Sequence, residues 1–323
     1  MLDEYRIIEL ITRRFGKLPK GYLSIGDDVA LIPPGRKGES VVLKCDTLVG
    51  KTDVPPGMTW RQASRKALAM CVSDFAAKGA RPTSFLISLG LPGGTEEEKV
   101  AEVASGLLEG SREWDLRLVG GDTSETDDLI LSCAMIGFAD SIVTRDGADA
   151  GEYVVTSGTF GQTSAGLRIL IKGAEAEARF RKEAVSSVLT PKPKLELGLA
   201  LSRFLSSSMD SSDGLAICLH AISEMSGVGV RLTNLPLADG LERFASRNSC
   251  SAEELALYGG EEYEIVGTIK KSRLPKARSK AKALGCELHV IGETVPKAEL
   301  EGVVLVDGRK VRKDGWVKFR SKP

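Results

Sequence analysis

Apolar positions along the chain alternate between helical spacings of three or four and short runs suited to strands, a pattern that predicts a mixed α/β (α+β) protein. Tyr5, Ile8, Leu10 and Ile11, with charges between them, predict a short amphipathic helix over residues 3–14. Val41 to Leu43 reads as a strand running into Asp46. Pro55-Pro56-Gly57 then breaks the chain before a helix capped by Thr59, which Gly79 and Pro82 end near Lys78. A strand at Ser84 to Leu91, a helix at Glu96 to Trp114, a buried strand from Leu116 to Val119 ending at Gly120-Gly121, and a strand from Leu129 to Phe138 complete a first unit. The polar stretch Asp140 to Glu152 reads as a linker, dividing the chain into residues 1–140 and 141–323. Beyond it, a strand at Tyr153 to Thr156, helices at Thr163 to Ile171, Pro191 to Leu205 and Gly214 to Met225, and strands near 229–232, 264–269 and 287–292 make a second mixed domain.

A chain of 323 residues, 42% of them hydrophobic, is long enough to bury two cores. Basic and acidic side chains balance at 44 each, so no overall field draws it to nucleic acid or to an anionic membrane. No apolar run approaches the ~20 residues a bilayer span requires. The start, Met1-Leu2-Asp3-Glu4-Tyr5, lacks a leader pattern, and the sequence reads as cytoplasmic. Cys45, Cys71, Cys133, Cys218, Cys250 and Cys286 stand singly, several in apolar runs, which favours buried thiols over zinc ligands or disulfides. His220 and His289 fall in a helix pattern and a strand pattern, so no Ser-His-Asp set is arguable.

The chemistry lies in carboxylates set among glycines and hydroxyls: Gly26-Asp27-Asp28, Cys45-Asp46-Thr47, Ser73-Asp74, Gly120-Gly121-Asp122-Thr123 and Asp210-Ser211-Ser212-Asp213-Gly214. Each alone has a local reading, because Asp and Ser favour turns and helix N-caps; Asp213 heads the helix at Gly214, and Ser73-Asp74 could cap a turn. Together they suit Mg²⁺ bound to phosphates. Asp74 follows Ala67 and Cys71 at spacings of four and three, on the apolar stripe of its helix, where an unpartnered carboxylate is costly. Asp122 follows two glycines at a strand end, where a backbone can approach a phosphate closely. No GxxxxGK[ST] loop or kinase glycine-rich loop is present, and Gly158-Thr159-Phe160-Gly161 is too short for a dinucleotide fingerprint.

Six segments taken in order, Ile25-Gly26-Asp27-Asp28-Val29-Ala30, Cys45-Asp46-Thr47-Leu48, Val72 to Pro82, Gly120-Gly121-Asp122-Thr123, Met209 to Leu215 and Tyr258-Gly259-Gly260-Glu261-Glu262-Tyr263-Glu264, resemble the thiamine-monophosphate kinase family. Two related ATP-using families fit less well. Selenophosphate synthetase carries a catalytic Cys or selenocysteine ahead of its first acidic motif, whereas no cysteine precedes Cys45. The hydrogenase maturation factor ends in a reactive Cys, whereas this chain ends Arg320-Ser321-Lys322-Pro323.

The resemblance implies the two-domain aminoimidazole ribonucleotide synthetase-like fold, with N-terminal strands pairing across a homodimer and a C-terminal domain covering the nucleotide cleft. It implies ATP and thiamine monophosphate as substrates, with several Mg²⁺ ions. By resemblance Asp28, Cys45, Asp46, Asp74, Asp122 and Asp210 are expected at the metals, and Asp213 matches a residue holding a further ion. Gly121, Asp122, Arg145 and Ser212 match nucleotide contacts; Asp46, Asp122 and Arg145 would carry the transfer. Glu261 and Trp316 match substrate positions, Asp53 stands where a substrate-contacting His is usual, and Glu262 replaces an Asp. Lys44-Cys45 replaces the Ser or Thr hydroxyls usual before Asp46. Lys44 has two readings, pointing inward as added charge or lying solvated at the edge. Arg145 is a charge-cancelling ligand or a surface charge, and Trp316 a thiamine-stacking ring or a packing residue. Other readings of the whole chain are a different ATP-dependent synthetase of the superfamily, or a nucleotide- or metal-binding protein without catalysis.

Overall fold

Two mixed sheets carry the strands of the computed structural model, which describes Ile8 and residues 20–23, 27–33, 39–305 and 307–316. The helix expected over residues 3–14 lies outside the described residues except for Ile8. The first sheet has the order β1-β2-β5-β3-β4, from β1 (Ala30–Ile32), β2 (Ser40–Val49), β3 (Arg81–Pro92), β4 (Arg117–Thr126) and β5 (Ile130–Ala139). The first four strands of that order pair antiparallel, and β3 with β4 is parallel. Helices α1 (Trp60–Lys78) and α2 (Glu97–Glu113) pack against each other, and α1 lies against β2, β3 and β5.

The second sheet comes entirely from the later half, in the order β11-β8-β10-β6-β9-β7. Its strands are β6 (Tyr153–Thr156), β7 (Leu205–Asp210), β8 (Val228–Leu232), β9 (Ile265–Ile269), β10 (His289–Pro296) and β11 (Val303–Val304). Helices α3 (Gln162–Lys172), α4 (Ala178–Leu189), α5 (Leu195–Leu201), α6 (Leu215–Ser226), α7 (Leu241–Arg247), α8 (Ala252–Tyr258) and α9 (Leu274–Ala283) complete it.

Helix α1 joins the two halves. Its N-terminus is fixed by a capping box between Thr59 and Gln62, and its C-terminus by Gly79 in the left-handed conformation at φ 66°. Between those ends it is buried almost all round, touching β2 on one side and β7 and α5 on the other. A helix so enclosed has little amphipathic contrast, and its buried charges therefore need partners.

Several expectations are corrected. The strand from Leu116 continues through Gly120-Gly121 to Thr126 and is exposed rather than buried: as the outer strand of its sheet it leaves Leu118 53% and Val119 62% exposed. The helix expected at Pro191 to Leu205 shrinks to α5, because residues 202–204 turn and Leu205 opens strand β7. Helix α4 and the helices between residues 241 and 283 carried too short or too charged a pattern to be read. Ser73 and Asp74 lie inside α1 and cap nothing, and Gly214, not Asp213, is the N-cap of α6. Met225 is 44% exposed rather than on the buried face of α6. Cys71, Cys133 and Cys218 are buried as expected, but Cys45 is exposed.

Candidate active site

Four separated segments converge where α1 passes between the sheets. Asp28 precedes β1, Lys44 and Asp46 stand on one face of β2, Asp74 and Lys78 lie one turn apart on α1, and Asp210 ends β7. Asp28, Asp74 and Asp210 each offer a carboxylate oxygen within 4.8 Å of the others, and all three are buried. Asp28 Oδ2 has no hydrogen-bond partner among the described residues, although it sits 2.7 Å from the Lys78 ammonium. A buried, oxygen-only donor set of this kind fits a hard divalent cation such as Mg²⁺.

Buried cations hold these acids together. Lys78 Nζ lies 2.6 Å from Asp27 Oδ1, its side chain is fully buried, and it also donates to the Ser208 carbonyl oxygen of β7. Arg145 donates from Nε to Asp28 Oδ1 at 3.1 Å, pairs with the same oxygen through Nη2, and gives its backbone N–H to Asp27 Oδ2 at 3.2 Å. Lys44 points inward: its ammonium is 2.9 Å from Asp74 Oδ1 and 3.4 Å from Asp46 Oδ1. Ser73 Oγ donates to Asp210 Oδ2 at 2.9 Å.

The electrostatics divide the acids. Burial alone would raise Asp28, but Lys78 and Arg145 hold it below the usual carboxylate range. Burial, with repulsion from Asp210, Asp46 and Asp28, pushes Asp74 well up despite Lys44. Burial and the Asp28 charge push Asp210 up to about 7. Burial opposes the charge on Lys44, yet Asp74, Asp46 and Asp210 keep it well above the ordinary lysine range. Crowded acids with raised proton affinities, balanced by fixed cations, mark a site built for further positive charge.

A second group adjoins it. The fully enclosed Lys66 ammonium of α1 lies 2.5 Å from Glu261 Oε1 and donates to the Asp53 carbonyl oxygen at 3.1 Å. Asp53 uses its own Oδ2 to accept from Val49 N at 2.8 Å. Glu261 sits at φ 65°, with its N–H bonded to the Ser212 carbonyl oxygen at 2.7 Å. That approach needs glycine, since a Cβ on Gly260 would meet the Ser212 oxygen at 2.4 Å. Trp316 N donates to the Asp213 carbonyl oxygen at 3.0 Å while the residue stays 48% exposed, so its ring is not packed away. Glu262 turns elsewhere: it accepts from Gly161 N at 2.7 Å and Thr163 N at 3.1 Å at the start of α3, and burial raises its carboxyl to about 7. The Gly158–Gly161 loop thus gives an amide to the protein's own acid.

Cys45, Gly121 and Asp122 are not brought to the cluster. Cys45 lies between Lys44 and Asp46, which face α1, so it points to the opposite side of the sheet. The register aligns Thr47, Ser132, Ser88 and Asp122 in one row, and the Thr47–Ser132 hydroxyl contact of 2.8 Å fixes their common face as the one away from Asp46. Asp122 stands three strands from β2, a lateral distance of roughly 14 Å.

Lys66 and Lys78 escaped the sequence reading, which named Ser73 only beside Asp74. The signal was present: Lys78 follows Ala67, Cys71 and Asp74 on the same stripe, and Lys66 shares a stripe with Ser73. A lysine at a stripe position of a buried helix implies a buried acid opposite.

Residues 26–139 match the AIR synthase related protein N-terminal domain and residues 149–305 its C-terminal domain. The thiamine-monophosphate kinase of Nitrosopumilus maritimus is 34% identical over 99% of this chain and 99% of its own. That of Pyrococcus abyssi is 32% identical over 96% of this chain and 93% of its own. Among solved structures, one described as AaThiL complexed with AMPPCP and TMP superposes with a TM-score of 0.86 at 29% identity, covering 98% of this chain and 97% of that one.

Proposed function

The chain belongs to the thiamine-monophosphate kinase family of AIR synthase related proteins, and from that premise we propose that it transfers the γ-phosphoryl group of ATP to thiamine monophosphate. The observation that carries the reading is the meeting of Asp28, Asp74 and Asp210 in a chain whose near-full-length relatives bear that kinase's name.

An oxygen of the acceptor's monophosphate attacks the γ-phosphorus, the bond to the β–γ bridging oxygen breaks, and ADP and thiamine diphosphate leave. The acceptor's second pKa is about 6, so its nucleophile is already an oxyanion near pH 7 and no general base is required. The obstacle is repulsion, about 4 kcal/mol per unit charge pair at 4 Å and an effective dielectric of 20. Asp28, Asp74 and Asp210, with Asp46 alongside, would hold Mg²⁺, which would supply charge neutralisation and orientation of the phosphates. Arg145 anchors Asp28 and, with 18% of its side chain exposed, presents guanidinium edge to an incoming nucleotide. Glu261, set by Lys66, and the open Trp316 ring receive the cationic thiamine, the latter through cation–π attraction of about 1 kcal/mol.

The protein is proposed to work as a cytoplasmic homodimer. Strand β4 leaves an open edge, and Leu86, Leu118 and Phe138 of the first sheet are exposed. A second copy on that edge would employ Gly121 and Asp122, which the single chain leaves apart from the acids. Sedimentation equilibrium at the monomer mass of 34.5 kDa would contradict this. No described helix is long and apolar enough to cross a membrane.

ADP release coupled to a reporter tests the function: it should depend on thiamine monophosphate, and ATP turnover indifferent to that acceptor would point to another reaction. Metal binding should also depend on pH. Because the Asp210 carboxyl is raised to about 7, the folded protein binds more protons than the unfolded chain between about 4 and that value, so this group's contribution to metal-free stability falls as pH rises through the window. Ligation requires the proton to leave. Added Mg²⁺ should therefore raise the thermal midpoint more at pH 8 than at pH 6; equal shifts would contradict Asp210 as a ligand.

A further inference from the structure

We propose that Lys44 is a resident cation of the acidic centre, its ammonium filling the gap between Asp46 and Asp74 so that the site recruits one divalent ion fewer. The inference rests on the kinase reading only for its purpose, since it concerns the metal-binding state of the protein alone.

The geometry is specific. Residues 44 and 46 of one strand face the same side, and Asp74 comes down on them from α1, so Lys44 lies between two carboxylates from different elements. With its nitrogen 2.9 Å from Asp74 Oδ1 and 3.4 Å from Asp46 Oδ1, the ammonium stands where a shared ion would bind. Mg²⁺ demands oxygens at about 2.0–2.1 Å in near-octahedral array. An ion bridging Asp46 and Asp74 would thus have to displace the lysine, whereas the Asp28–Asp74–Asp210 set brings three carboxylates within 4.8 Å of one another without calling on Asp46.

Charge balance agrees. With every acid ionised, as ligation requires, the five carboxylates Asp27, Asp28, Asp46, Asp74 and Asp210 face three fixed cations, Lys44, Lys78 and Arg145, leaving a formal charge of −2 that a single divalent ion cancels. Without Lys44 the deficit is −3, and one divalent ion leaves an acid unbalanced. The lysine also retains donor capacity, since an ammonium has three protons and two acceptors are assigned, so it can meet a phosphate oxygen on its 20% exposed side.

The test counts ions. Mn²⁺, which shares the carboxylate preference of Mg²⁺, is titrated into the nucleotide-free protein, and free Mn²⁺ is read by electron paramagnetic resonance. The native chain should bind one tight ion per subunit. Lys44→Ser should bind a second, Lys44→Met should do so more weakly or gain affinity at the first site, and Lys44→Arg should keep the native count. Equal stoichiometry and affinity in native, Ser and Met proteins overturns the proposal. If Lys44→Ser does not fold, the Met and Arg variants decide between the same two outcomes. The count needs no thiamine substrate, so a change in stoichiometry in a protein that makes no thiamine diphosphate would sink the kinase reading and leave this one standing.

Discussion

Asp74→Asn should stop phosphoryl transfer while leaving the fold intact or slightly more stable. The substitution keeps the shape of a side chain enclosed in α1 but removes one of the triad's charges and the partner of Lys44. Loss of a metal ligand costs several kcal/mol of transition-state stabilisation, so kcat should fall by about 10³-fold or more. Stability moves the other way in metal-free protein, because burial and the neighbouring Asp210, Asp46 and Asp28 already disfavour the Asp74 charge. The paired signature is a retained thermal midpoint without metal and loss of the rise that Mg²⁺ confers. A variant within tenfold of native turnover under saturating Mg²⁺ would remove Asp74 from the site.

Lys78→Met should have the largest effect on stability. The lysine is fully buried with Asp27 and Asp28 at 2.6 and 2.7 Å, and its contact with the Ser208 carbonyl ties α1 to β7 across the two halves. Removing one partner of a buried ion pair strands the other charges, at a cost of about 3–5 kcal/mol. Arg145 still faces both aspartates, so a folded but weakened protein is expected, with a lower urea midpoint. Adding Asp27→Asn should recover part of the loss, which a double-mutant cycle would read as coupling. Independent, additive effects would show that the pair is not coupled.

The order of strands and helices in the first half was legible because its apolar runs are long and its punctuation strong: Thr59, Gly79 and Pro82 bracket α1 as the pattern suggests. Asp74 on an apolar stripe correctly signalled a buried carboxylate needing a partner. Which partner it has was not legible, since pairing Lys44 with Asp74 depends on how α1 crosses β2. The strand leading to Asp122 was misread for a related reason. Apolar residues before a glycine pair suit a buried strand end, but β4 lies at the sheet's margin, and periodicity does not report position within a sheet. The same period of two separates Cys45 from its neighbours, a fact available in sequence once β2 was read as a strand through Asp46. Short helices such as α7 and α8 were lost because seven residues hold too few turns to show a stripe.

The most direct test of the function follows the phosphorus itself. Purified protein is incubated with ATP labelled at the γ-phosphate, Mg²⁺ and thiamine monophosphate, and the products are separated by chromatography. The acidic centre described above should deliver one label per molecule to the terminal phosphate of thiamine diphosphate, with ADP formed in equal amount. Label appearing only as free phosphate, or AMP appearing in place of ADP, would contradict γ-phosphoryl transfer to this acceptor.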